Sequence, residues 1–186
     1  MISIASLWPA ILLAAVIVFL VSSVIHMAPL WHRNDFAAVP REAEVLAALR
    51  PLALPPGDYF LPYCPDMKQM KTQEFQEKLR QGPVAMISVQ RNGPFGMGRP
   101  LTLWFLYCVL IGIFAAYLAS RTLPPGTPYR RVFQIVGATA FMGYALALLQ
   151  NSIWKHRTWP VTVKGCLDGL IYASLTAGSF GWLWPH

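Results

Sequence analysis

The stretch GCLDGLIYASLTAGSFGWLW, Gly165–Trp184, decides how this chain is read. Gly165, Gly169, Ala173, Ala177 and Gly181 recur at every fourth position. On a helix that interval keeps to one face, so the five form a flat ridge against which another backbone can lie closely. Asp168 is the one acidic residue inside the stretch. A carboxylate within a membrane span is costly unless it faces protein or water, which makes Asp168 the leading candidate for a functional residue.

Three further apolar segments precede this one, so the spans are expected at about 4–28, 101–120, 132–150 and 165–184. Each holds close to the ~20 residues that carry a helix across a ~30 Å hydrocarbon layer. Hydrophobic residues make up 55% of the chain and charged residues 12%, with mean hydropathy +0.44. A soluble domain carries roughly twice that charge. The expected fold is therefore an all-α integral membrane protein. It is a four-helix bundle forming one membrane domain over 1–186, with a long membrane-associated loop between the first two helices. The first segment has no Lys or Arg ahead of it, a long core and no small-residue cleavage pattern, so it reads as a retained helix rather than a signal peptide.

The net charge of +7 does not imply nucleic acid. All 15 basic residues fall outside the four segments, as orientation bias alone would place them, and no aromatic-interleaved basic patch is present. Expected partners are membrane lipid and either a second copy of the chain or another membrane protein. Cys64, Cys108 and Cys166 are odd in number and contain no C-x-x-C, which excludes a disulfide framework.

Charge also suggests an orientation. Arg33, Arg41, Arg91, Arg99, Lys155, Arg157 and Lys164 flank the spans on one side; Arg121, Arg130 and Arg131 flank them on the other. That excess puts the long loop in the cytoplasm and both termini outside. Trp8, Trp182 and Trp184 would form one aromatic belt and Trp31, Trp104, Trp154 and Trp159 the other. Within the loop, 40–50 reads as a short helix, and a second helix should start at a capping Asp66 and end at Gly82. VAMISV, 84–89, has strand character but no evident pairing partner.

Helix three repeats the small-residue device at Thr139, Gly143 and Ala147, and helix two carries Gly112 and Ala116. Candidate chemistry gathers at one membrane boundary. His26 lies near the end of helix one with Ser22 and Ser23 a turn behind it. Asp168 is expected about one turn inside helix four, with Tyr172 a turn deeper on the same side. A His26–Asp168 contact, a proton relay or half of a metal site would fit, with Tyr172 and Ser22 as neighbours. The plainer alternative is a structural hydrogen bond, with Asp168 accepting from free N–H groups of the first turn. IHMAPLWHRND, Ile25–Asp35, adds His32 and Asp35, and His156 lies in the third loop. The spacing matches no established zinc or iron pattern, so no metal and no cofactor are expected. Gly93–Pro100 lacks the Gly-Lys-Ser/Thr ending of a phosphate loop and reads as an elbow. WKHRTW, 154–159, suits anionic headgroups. No nucleophile–base pair emerges, so no enzyme activity is assigned.

The ending Asp168–Pro185, the segment Ile25–Asp35 and Asn151-Ser-Ile-Trp154 resemble a pattern in small, uncharacterised bacterial multi-spanning membrane proteins. The resemblance implies a bacterial inner-membrane protein and transfers no catalytic residue. Taken together, the sequence favours a structural or accessory subunit that packs through small-residue helix faces. The alternative is a small transporter or ligand- or ion-binding protein using the Asp168–His26 zone.

Overall fold

The computed structural model describes residues 2–27, 31–94 and 96–186. The chain divides into two compact units, 1–36 with 96–186 and the intervening 37–95. The first unit is helical. Helix α1 (Trp8–Met27) continues a short 3-10 turn over Ile4–Leu7 that Ser3 caps through its hydroxyl. Helix α4 (Gly98–Thr122) follows, with Pro100 in its first turn, where a missing N–H costs nothing. Helix α5 (Tyr129–Tyr144) leads through a 3-10 turn at Leu146–Leu148 into α6 (Leu149–Lys155). Helix α7 (Trp159–Trp182), with Pro160 again in the first turn, ends the unit.

Among the described residues, three helical stretches are long and apolar enough to cross a membrane: Ile4–Met27, Gly98–Thr122 and Tyr129–Lys155. Helix α7 is as long but less apolar, and its packing supplies the reason. It lies against both α1 and α5 and buries a broad face from Asp168 and Gly169 through Tyr172, Ala173, Thr176 and Ala177 to Ser179 and Phe180. A helix sheathed by neighbours can use Gly, Ser and Thr where a lipid-facing one uses Leu and Ile.

Small residues set the spacing at these contacts. A Cβ on Gly169 would lie 2.8 Å from Ala145 Cβ and 3.3 Å from backbone atoms of Tyr144 and Ala145. One on Gly181 would lie 2.6 Å from the Tyr129 ring, and one on Gly165 3.1 Å from Leu148. Ala173 and Ala177 are buried. The helix-three ridge is different. Gly143 does meet a neighbour, Ile111 of α4, but Thr139 is half-buried and bonds its own helix at Ile135 O, and Ala147 is exposed. The cause is a break at Ala145 (φ −121°, ψ −50°), which destroys the every-fourth register expected across 132–150. The carbonyl of Gly143 instead accepts the Tyr107 hydroxyl at 2.6 Å. The face of α5 that is fully buried comprises Val132, Val136, Ala140 and Tyr144.

The Leu123–Pro128 turn between α4 and α5 is tied to the end of the chain. Gly126 N–H donates to Pro185 O at 2.8 Å, and Trp184 Nε1 donates to Pro124 O at 3.1 Å. Trp184 is thus buried, and Trp104 turns inward to donate to Ser22 Oγ at 2.8 Å. Trp8, Trp154, Trp159 and Trp182 are exposed, as belt residues would be. The two inward-facing rings leave the expected belts because their N–H groups find partners inside.

The second unit contains α2 (Glu42–Leu49), β1 (Gly57–Leu61), α3 (Gln73–Gln81) and β2 (Ala85–Val89). The VAMISV segment has a partner after all: β2 pairs antiparallel with β1, Gly57 opposite Val89 and Leu61 opposite Ala85. That partner was hard to see because GDYFL sits directly behind a Pro-Pro-Gly run that reads as loop. Helix α3 starts later than expected. Thr72 caps it by accepting from Phe75 N–H, whereas Asp66 accepts from Lys68 N–H in a separate turn. It ends as expected at Gly82, whose φ of +61° a residue without Cβ adopts readily.

Candidate functional site

The site is built where the end of α1, residues 31–35 and the N-terminal half of α7 meet. Helix α7 begins at Trp159, because Thr158 is its extended N-cap and Pro160 fits the first turn. Asp168 therefore lies nine residues into the helix, about 14 Å at 1.5 Å per residue. This corrects the expectation of a position one turn inside. The N–H groups around Asp168 are already used within the helix, so its carboxylate is no helix-start anchor.

Asp168 is 3% exposed. Trp31 Nε1 donates to its Oδ1 at 2.8 Å, and His32 Nε2 stands 3.0 Å from its Oδ2. The other nitrogen of His32, Nδ1, is 2.7 Å from Asp35 Oδ2, and Lys164 Nζ donates to Asp35 Oδ1 at 3.0 Å. A continuous polar chain thus runs from Trp31 through Asp168, His32 and Asp35 to Lys164. Burial pushes the Asp35 carboxyl up, but the hydrogen bonds from His32 and Lys164 outweigh this and hold it below the ordinary carboxylate range.

His26 joins by stacking. Its ring lies 4.5 Å from that of His32 with 13° between the planes, and its Nδ1 is 2.9 Å from Ser22 O. The ligand-type atoms of His26, His32 and Asp168 all lie within 4.8 Å of one another. These groups border a cavity of about 320 Å³ whose lining also includes Arg157, Asn151, Thr162 and Gly165. Ser152 donates to Oγ1 of Thr162, a lining residue, at 2.7 Å and ties α6 to α7.

The residues singled out from the sequence separate into two groups. His26 and Asp168 come together. Ser22 and Tyr172 instead face the aromatic cluster of Trp104, Tyr144 and Tyr172, with ring centroids 5.6–6.2 Å apart. Ser22 is occupied by Trp104 and by Phe19 O, and the buried Tyr172 hydroxyl has no partner among the described residues. His156 caps α6 at φ +52° and is exposed, away from the cluster. Sequence reading offers His32 and Asp35 beside His26 without joining them to Asp168, and does not single out Trp31 or Lys164 for the site. The signal was the concentration of Trp, His and Asp within 31–35, just past the end of a span.

No family model matches the chain, and no curated protein and no solved structure is found similar to it. What the arrangement can do must come from its chemistry. It offers two imidazoles and one carboxylate at a cavity edge, each with its second heteroatom already engaged.

Proposed function

We propose that the protein is a four-span integral membrane protein that binds an ion or small polar ligand in the chamber at Asp168. In this reading α7 is the fourth span, and the long loop 32–99 and the α6–α7 turn face the cytoplasm with both termini outside. Seven basic residues flank that side against three on the other, which supports the orientation. The membrane is the bacterial inner membrane, as the motif resemblance suggests. An impermeant thiol reagent applied to intact cells checks the topology. A cysteine placed at Gln76 should stay unlabelled while one at the C-terminus reacts, and the reverse pattern overturns the orientation.

One observation carries the ligand-binding reading. A buried carboxylate that accepts from Trp31 and stands 3.0 Å from His32 Nε2 borders an open cavity whose lining includes His26, Asn151, Arg157 and Thr162. A purely structural carboxylate would be expected to be closed over by its partners. The second reading, an accessory subunit docked through small-residue faces, draws on the Gly165–Gly181 ridge. That ridge is already used against α5, which weakens it as a docking surface for another protein.

Thermal unfolding in mild detergent separates the two readings. Wild type and Asp168→Asn are compared across a panel of simple cations, anions and small polar solutes. A ligand present at about a hundred times its Kd adds ~2.7 kcal/mol, which for a chain of this size raises Tm by roughly 5–10 °C. At least one ligand should do so in wild type and not in the variant. No ligand-dependent shift in wild type, with a membrane protein co-purifying, would establish the accessory role instead.

A further inference from the structure

We propose that the chamber binds a divalent first-row transition cation of the zinc type, held by Nε2 of His26, Nε2 of His32 and Oδ2 of Asp168. The proposal rests on the ligand-binding reading above and names its ligand. The argument begins with where the imidazole protons must be. His26 Nδ1 faces Ser22 O, and a carbonyl oxygen only accepts, so Nδ1 carries the hydrogen. His32 Nδ1 faces the Asp35 carboxylate, and the same logic puts a hydrogen there. A ring that carries its hydrogen on Nδ1 alone leaves Nε2 with a free lone pair. Trp31 Nε1 occupies Asp168 Oδ1, which leaves Oδ2 as the free oxygen.

Two of these atoms face each other closely. His32 Nε2 and Asp168 Oδ2 are 3.0 Å apart, yet Nε2 makes no hydrogen bond among the described residues. Two acceptors at that separation repel unless a positive charge sits with them, and about 3 Å is the spacing of neighbouring ligands around an ion bound at ~2.0–2.1 Å. His26 brings a third ligand-type atom within 4.8 Å of both. Its ring is stacked on that of His32 with 13° between the planes, so its in-plane lone pair runs alongside theirs. The ring must swing out of the stack to complete three points of a tetrahedron. The fourth faces the cavity. Nδ1–H donation to a carboxylate or carbonyl is the outer arrangement that orients metal-binding histidines, and here both have it. Lys164 completes a further layer by fixing Asp35. Two imidazoles with one carboxylate suit zinc, cobalt, nickel or iron; calcium and magnesium prefer all-oxygen sets.

The full chain is purified in detergent, stripped with chelator and titrated with Co²⁺, which reports coordination through its visible absorption. Wild type should bind one Co²⁺ with bands of a four- or five-coordinate site, displaced by Zn²⁺ and not by Mg²⁺ or Ca²⁺. His32→Ala and Asp168→Asn should abolish the bands. Trp31→Phe and Asp35→Asn keep all three ligands and should weaken binding roughly 10- to 100-fold, the usual effect of losing an orienting partner. Nitrogen NMR of the metal-free wild type gives a readout that needs no variant, with both rings expected as the neutral Nδ1–H form. A doubly protonated His32 and no cobalt bands would overturn the metal site and make the chain from Trp31 to Lys164 a salt-bridge network. The two proposals fail separately. A non-metal solute that stabilises wild type but not Asp168→Asn would end the metal assignment and leave ligand binding standing, whereas no ligand of any kind would end both.

Discussion

From Gly169 to Gly181, helix α7 meets its neighbours through missing side chains; from Trp159 to Asp168, the same helix meets them through charges and hydrogen bonds. In the first half the contacts are dry and close, with a Cβ on Gly169 or Gly181 falling 2.8 or 2.6 Å from its neighbour. In the second half the helices stand apart around a cavity, and Ser152–Thr162 and Lys164–Asp35 bridge the gap. The difference teaches where tolerance should lie. Steric contacts fail when an atom is added, whereas the polar half fails when one is removed.

The largest effect is expected at Gly169. Gly169→Leu drives a side chain into Ala145 and adjacent backbone, which cannot rotate aside. The loss should reach the upper part of the ~1–3 kcal/mol range for overpacking, read as a fall in Tm in detergent. Gly143 sharpens the point. Its hypothetical Cβ comes even nearer a neighbour, but the neighbour is the tip of Ile111, a flexible group. Gly143→Ala should therefore cost less than Gly169→Ala, and the opposite order would mean that contact distance alone governs.

Next comes the polar half. Trp31→Phe removes the donor to Asp168 Oδ1, and Asp168→Asn removes the charge that accepts from Trp31. Each should cost about 1–3 kcal/mol, because a buried group loses its partner. The double mutant should show a coupling of at least ~0.5 kcal/mol. Additive losses would mean that the two side chains do not depend on each other.

A pH test isolates the outer link. Since the Asp35 carboxyl is held below its ordinary value, its contribution is complete above the unfolded value, ~3.9, and is lost as pH falls through the lower folded value. Asp35→Asn should flatten that acid limb of a stability profile while leaving its shape above about pH 5 unchanged. A steep limb persisting in the variant would assign the effect to another group. The smallest effect is reserved for Leu170, beside Gly169 but exposed and off the ridge. Leu170→Ala should change stability by about 0.5 kcal/mol or less. A loss equal to that of Gly169→Leu would put the packing face on the wrong side of the helix.

Much of the dry half was legible in the sequence. An every-fourth run of Gly and Ala has one steric meaning on a helix, and each of its five members is found at a close or buried position. The analogous run at 139–147 misled because periodicity assumes an unbroken helix, and nothing local in YALALL marks the break at Ala145. In the polar half Asp168 was conspicuous by its charge and His26 by its place. The roles of Trp31, His32 and Asp35 depend on contacts with residues 129 to 137 positions away, beyond the reach of residue spacing. Tryptophan was the most ambiguous letter. At a span end it reads as a belt residue, yet Trp31, Trp104 and Trp184 each spend their N–H on an internal acceptor.

The bond from Gly126 N–H to Pro185 O ties the tail to the α4–α5 turn without using any side chain. The last turn of a terminal helix ordinarily frays, and its amides exchange with solvent first. Here fraying of α7 must also release the Gly126 amide, more than fifty residues earlier in the chain. Deuterium uptake at Gly126 and at the end of α7 should then share one rate, and removing Trp184–His186 should raise the rate at Gly126 while leaving the Asp168 end of the helix protected.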